Sequence, residues 1–160
     1  MGKKLWFYDF DRTLCSHAFP TPGEQLTEKD KFVYWLTNPK ILTAEDKPLK
    51  AAQWHVDNRS KEDALFCLTH QTSNLRDEYI HNFLCTHYNN RLRLLTVASP
   101  ELKITMIKAM AHVHLVQLSD CYLIEDRMST VYMACEAGIN GVHISSIYTE
   151  YEACLSRNKG

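Results

Sequence analysis

The run Leu92-Arg93-Leu94-Leu95-Thr96-Val97, followed by Ala98 and then Ser99-Pro100-Glu101-Leu102-Lys103-Ile104, changes its periodicity part-way along. Its first half is apolar and ends in the β-branched Thr96 and Val97, as a buried strand does. Its second half opens a helix. Ser99 suits the N-cap, Pro100 suits a first turn whose amide hydrogens have no helical partner, and Glu101 meets the positive end of the helix dipole. Ile104, Ile107 and Ala111 then recur at helical spacing.

Working outward, the same unit repeats. Ala64-Leu65-Phe66-Cys67-Leu68 reads as a strand ending at Thr69, and Leu75, Tyr79, Ile80, Phe83 and Leu84 predict an amphipathic helix over 74–86. Cys121-Tyr122-Leu123-Ile124 is a strand, 128–137 a helix with Gly138 as its stop, and Gly141-Val142-His143-Ile144 a last short strand before a helix from about Ile147. Near the start, Leu5-Trp6-Phe7-Tyr8 is a buried strand ending in acids, and 15–23 is loop-like, with two prolines and a glycine. Thr27 and Asp30 before Phe32-Val33-Tyr34-Trp35-Leu36 predict a helix that Pro39 ends. A second helix is expected within 43–63, around Leu49, Ala52 and Val56. Strands alternating with helices predict an α/β protein: a three-layer, Rossmann-like parallel sheet of about five strands with helices on both faces. There are no repeats or linker-like stretches, so 1–160 reads as a single domain with a small helical or flap insertion at about 15–63.

In such sheets, ligands bind outside the carboxyl ends of the strands. Those ends carry Asp9 and Asp11, then Thr69, then Glu125 and Asp126. Acids gathered in one crevice repel one another unless a cation joins them, and all-oxygen ligands suit Mg2+. An Asp-x-Asp pair alone is also what a helix cap beside a solvated acid looks like. The preceding apolar strand, Thr13 and the second acidic strand end turn the pair into a site.

Asp9-x-Asp11-x-Thr13 after a hydrophobic strand resembles the first motif of the haloacid dehalogenase-like superfamily of phosphohydrolases. Thr69 is similar to that superfamily's second motif and Lys103 to its third-motif lysine. Ile124-Glu125-Asp126 and the helix behind it resemble the acidic fourth motif. The four occur in family order across residues 5 to 144. The resemblance implies Asp9 as the nucleophile that forms an aspartyl-phosphate, and Asp11 as general acid and then general base. It implies Thr69 and Lys103 as holders of phosphoryl oxygens, Thr13 and Arg12 on the substrate side, and Mg2+ bound by Asp9, Asp11, Asp126 and Glu125. The fourth motif more often pairs two aspartates, and Thr69 is followed by His70-Gln71 where Gly-Arg is frequent. Glu125-Asp126-Arg127 and the stretch Cys15-Ser16-His17-Ala18-Phe19-Pro20-Thr21-Pro22 are also similar to the RNA-repair-like subgroup. Lys108 competes with Lys103 for the lysine role, and Arg12 fits either a phosphate or a neighbouring acid.

Composition bounds the rest. Of 160 residues, 45% are hydrophobic and 23% charged, and 18 basic residues against 19 acidic give a net charge of −1. That balance excludes a strongly basic nucleic-acid coat. No apolar run approaches a membrane span, and the apolar start, cut short by Asp9, is too brief for a secretory signal, so a cytoplasmic protein without a membrane partner is expected. Six cysteines without paired spacing read as reduced, buried thiols. His112 and His114 lack a third ligand for zinc. Asp120 precedes its strand and is expected at the opposite sheet edge.

No stretch between motifs is long enough for a large lid, so the crevice is expected to be open. An open site favours a phosphorylated nucleic-acid end, a nucleotide or a phosphoprotein, with Arg91 and Arg93 or Lys3 and Lys4 gripping a polymer. A small-metabolite phosphatase and a non-catalytic binding module of the same fold are the alternatives. A response-regulator receiver fits less well, because the third strand ends in Val97-Ala98-Ser99 without an acid.

Overall fold

The computed structural model describes residues 2–16, 46–70 and 74–159. The helix expected around 27–36, most of the loop expected at 15–23 and much of the insertion expected at 15–63 lie outside the described residues.

Strand β1 (Leu5–Tyr8) is buried at every position because it has a parallel neighbour on each side. Leu5 stands opposite Ala64 of β4 (Ala64–His70) and Cys121 of β6 (Cys121–Glu125). Outside these lie β5 (Leu92–Val97) and β7 (Asn140–His143), giving a five-stranded parallel sheet in the order β5-β4-β1-β6-β7. Cys15–Ser16 (β2) and Lys47–Pro48 (β3) form a separate antiparallel pair. The helices are α1 (Lys50–Asp57), α2 (Asn74–His87), α3 (Pro100–Val113), α4 (Met128–Glu136) and α5 (Ile144–Asn158).

The alternation of side chains along β1 sorts the core into two layers. Trp6 and Tyr8 pack with Ala51, Ala52 and Val56 of α1, with Ile80, Phe83 and Leu84 of α2, and with Ile144 and Ile147 of α5. Leu5 and Phe7 pack on the other face with Ile107 and Ala111 of α3 and Ala134 of α4. The three-layer architecture expected from the alternation is therefore present. Gly138 ends the turn after α4 at φ 85°, the left-handed region that glycine enters without strain. Gly141 lets β7 approach α4, since a Cβ there would sit 2.4 Å from the Val131 carbonyl oxygen.

Three local expectations shift. Leu75 is 54% exposed, and the buried stripe of α2 runs instead through Arg76, Ile80, Phe83 and Leu84. Arg76 can occupy it because its guanidinium lies 5.4 Å from the Phe10 ring and 5.3 Å from that of Tyr79, and it pairs with an acid described below. Helix α5 begins at Ile144, earlier than expected, because the His143 side chain accepts the Ser145 N–H and caps it. All six cysteines are free, but only Cys15, Cys67 and Cys121 are buried, while Cys85 and Cys135 are exposed. Among the described residues, no helix is long and apolar enough to cross a membrane.

His55 of α1 is 3% exposed, with its Nδ1 2.8 Å from the Tyr8 hydroxyl and its ring edge-on to Trp6. Burial, helped by Arg59, pushes its pKa down from 6.5 to about 3. The unfolded chain therefore binds a proton here that the folded chain refuses. Stability is complete above about pH 6.5 and falls as the pH drops toward 3, by at most about 1.4 kcal/mol per pH unit for this group. Urea unfolding of wild type and His55→Asn at several pH values should show a shallower acid dependence in the variant. Parallel profiles would mean that His55 titrates normally in the fold.

Candidate active site

The chain leaves β1 for β4 and β5 on one side, then returns through α3 to β6 and β7 on the other. The switch point thus falls at β1, where the carboxyl ends of β1 and β6 lie side by side. The Asp9 N–H donates to the Ile124 carbonyl at 3.0 Å, extending the β1–β6 pairing by one step and bringing Asp9 beside Glu125. Beyond Asp9 the backbone turns tightly around one acceptor. The Phe10 carbonyl takes the N–H groups of Thr13, Leu14 and Cys15 at 3.3, 3.0 and 3.0 Å. Arg12 at the tip has φ 61°, a conformation that costs a non-glycine residue energy and is held by the turn.

Helix α3 supplies the cation. Lys103 sits in its first turn, 4% exposed, and its Nζ donates to Asp9 Oδ1 and Glu125 Oε2, both at 2.9 Å. Lys108, further along α3, is exposed. Burial alone would lower the Lys103 pKa, but the Asp9 and Glu125 carboxylates outweigh it and hold the ammonium charged above the usual lysine range. Asp9, Glu125 and Asp126 each offer a carboxylate oxygen, and these lie within 4.8 Å of one another. Burial first, and then the Asp9 charge, push Glu125 well above its ordinary value and Asp126 up to about 6.

The donor set fits a small divalent cation. It consists of carboxylate oxygens, the ligands that Mg2+ takes. The three carboxylates outnumber the one buried ammonium, which pairs with Asp9 and Glu125, so the Asp9 charge adds to burial in raising the other two acids. A divalent cation among them would relieve the same repulsion. Arg12, which is exposed, also favours ionised Asp126 through its charge.

The other expected residues are distributed around this cluster. Thr69 is 2% exposed near the carboxyl end of β4, two residues past Cys67, the partner of Tyr8. Thr13 is fully buried, and its hydroxyl has no hydrogen-bond partner among the described residues. Asp11 is not in the three-acid group. Its Oδ1 accepts from Arg76 at 2.6 Å, a partly exposed carboxylate against a buried guanidinium. Asp120 ends a short helical turn just before β6, at the far end of that strand from Glu125.

Arg76 is a residue that sequence reasoning missed, although it falls at i, i+4 and i+7 with Ile80 and Phe83, where a charge is unexpected. His143 is a second: it ends β7 opposite Glu125, and its ring nitrogen Nε2 lies 2.9 Å from the Asp126 carbonyl. Lys3 and Lys4 precede β1, and Arg91 and Arg93 lie at the start of β5, so all four stand toward the amino ends of the strands, away from Asp9 and Glu125. Arg91 is turned to the carbonyls of Val56, Arg59 and Ser60.

No protein-family model matches the chain, and no curated protein matches it. Solved structures do. A haloacid dehalogenase-like hydrolase from Streptococcus pneumoniae superposes with a TM-score of 0.59 at 14% identity, covering 92% of this chain and 90% of its own. A haloacid dehalogenase-superfamily hydrolase of subfamily IA from Geobacter sulfurreducens gives 0.58 at 10% identity, over 86% and 84%. A phosphoserine phosphatase captured as a phospho-aspartyl intermediate analogue gives 0.57 at 13%, over 94% and 99%. At such identities the likeness is one of backbone: the chain adopts the fold of the haloacid dehalogenase-like hydrolases.

Proposed function

We propose that this protein is a Mg2+-dependent phosphomonoester hydrolase that works through an aspartyl-phosphate on Asp9. The observation that carries the reading is the cluster of Asp9, Glu125 and Asp126 at the switch point of the sheet, the first two buried and bridged by Lys103. The four-motif resemblance and the fold support it.

When bound by Asp9, Glu125 and Asp126, Mg2+ would draw charge from the phosphoryl group and offset its repulsion by the acids. The chain's residues do the rest. Lys103 fixes the Asp9 carboxylate through Oδ1. A carboxylate oxygen of Asp9 attacks phosphorus as the ester P–O bond breaks, and the leaving oxygen takes a proton from Asp11. Asp11 then removes a proton from water, whose oxygen attacks phosphorus. The P–O bond to Asp9 breaks, inorganic phosphate departs and Asp9 is regenerated. Arg76 orients Asp11 between these roles. The Thr69 hydroxyl and the Lys103 ammonium receive phosphoryl oxygens, with Thr13 and Arg12 on the substrate side of the turn.

The substrate class stays within phosphorylated nucleic-acid ends, nucleotides or phosphoproteins. Lys3, Lys4, Arg91 and Arg93 stand at the amino ends of their strands, so the proposed polymer contacts are assigned to residues nearer Asp9. Hydrolysis of an aryl phosphate should require Mg2+ and stop in excess chelator. Undiminished turnover without metal would exclude the mechanism. A higher kcat/KM for a phosphorylated oligonucleotide or protein than for the matching mononucleotide or phosphoamino acid is expected. A clear optimum for one small sugar phosphate would select the small-metabolite alternative, and no turnover of any phosphomonoester would select the binding module.

A further inference from the structure

The β6–β7 pairing ends at Glu125 and His143, which stand opposite each other. Asp126 lies one residue past that last pair. The His143 side chain takes over where the ladder stops. Its Nδ1 accepts the Ser145 N–H at 3.1 Å and lies 2.7 Å from the Ser145 hydroxyl. A ring nitrogen that accepts an amide hydrogen carries none of its own, so the neutral imidazole has its proton on Nε2. That proton points to the Asp126 carbonyl, 2.9 Å away. One ring therefore caps α5 with one nitrogen and ties down the loop after β6 with the other.

We infer that His143 is a positioning residue for Asp126: its Nε2–H fixes the Asp126 peptide and thereby aims the carboxylate at Asp9 and Glu125. The inference rests on the cation site proposed above. The physical reason is geometric. Rotation of the peptide that follows Asp126 changes that residue's backbone torsion and sweeps its side chain, and a cation held by few ligands loses affinity when one is misaimed. Partners that orient a metal ligand commonly change affinity by about 10–100-fold when removed.

The two nitrogens can be separated by substitution. His143→Asn places an amide oxygen near the position of Nδ1, keeps the α5 cap and is too short to reach the Asp126 carbonyl. His143→Gln places an amide N–H near the position of Nε2 and keeps the tie to Asp126. Mn2+ binding, followed by calorimetry without substrate, and thermal unfolding in chelator give two independent readouts. His143→Asn should bind Mn2+ at least about 10-fold more weakly than wild type with nearly unchanged thermal stability. His143→Gln should bind within about 3-fold of wild type and unfold at a lower temperature.

Unchanged Mn2+ affinity in His143→Asn overturns the inference, as does an equal loss in both variants, which general loosening of α5 would produce. Asp126→Asn separates this failure from failure of the site itself. Binding that is strong in wild type and lost in Asp126→Asn leaves the cation site standing even when His143 proves irrelevant to it. Absence of binding in wild type, or binding indifferent to Asp126→Asn, overturns both.

Discussion

Replacing Asp9 with Asn should lower kcat on an aryl phosphate by at least about 10^3-fold, because an amide oxygen cannot become the acyl oxygen of an aspartyl-phosphate. The substitution changes little else. Asn keeps an oxygen that can accept from Lys103, the side chain is of nearly equal size, and Asp9 is only 8% exposed within its existing pairing. One of three clustered negative charges disappears, so urea stability in chelator should hold or rise. A folded Asp9→Asn protein turning over within about tenfold of wild type would rule out Asp9 as the nucleophile. A variant that failed to unfold cooperatively would be answered by Asp9→Ser, which removes the carboxylate by a different route.

Lys103→Met carries the largest expected effect on stability. The ammonium is buried between two carboxylates at 2.9 Å, so its removal leaves Asp9, Glu125 and Asp126 facing one another without it. Breaking a buried ion pair from one side typically costs about 3–5 kcal/mol, far more than the loss of an exposed pair. The cost should be greatest in chelator and smaller in millimolar Mg2+, since the cation takes over part of the charge. Adding Glu125→Gln to Lys103→Met should restore part of the loss by removing an uncompensated acid, a coupling that a double-mutant cycle measures. A loss below about 1 kcal/mol in chelator would mean that the acids are already neutral in the fold, and the charge argument for a divalent cation would fall with it.

The gathering of acids at the candidate site was legible in the sequence as far as strand ends are legible. Asp9, Thr69, Glu125 and Asp126 each follow an apolar run, and a parallel sheet carries the ends of its strands to one edge whatever their separation in the chain. Lys103 was legible for a related reason: a helix that begins right after a strand keeps its first turn at that edge, whereas Lys108 has moved away from it. Leu75 misled because the stripe of α2 was read from the apolar residues alone. The helix turned its Arg76 inward instead, where two aromatic rings and the Asp11 carboxylate offset the cost of burying a guanidinium. The early start of α5 was hidden likewise, since a histidine cap is weaker as a signal than Ser, Thr, Asp or Asn.

By itself, the sequence determined the layering: alternate strands and helices, each with its own periodicity, leave a twisted parallel sheet covered on both faces as the arrangement that buries every apolar stripe. It also determined which edge of that sheet carries the acids, because strand direction and motif position are local properties. Only the tertiary structure decided the pairings. Lys103 meets Asp9 from 94 positions along the chain, Arg76 meets Asp11 from 65, Tyr8 meets His55 from 47, and His143 meets Asp126 from the neighbouring strand. None of these contacts follows from periodicity. Each depends on strand order and register, which are set by how the two core layers pack as a whole, and a polar group finds its partner only after that packing has removed water from around it.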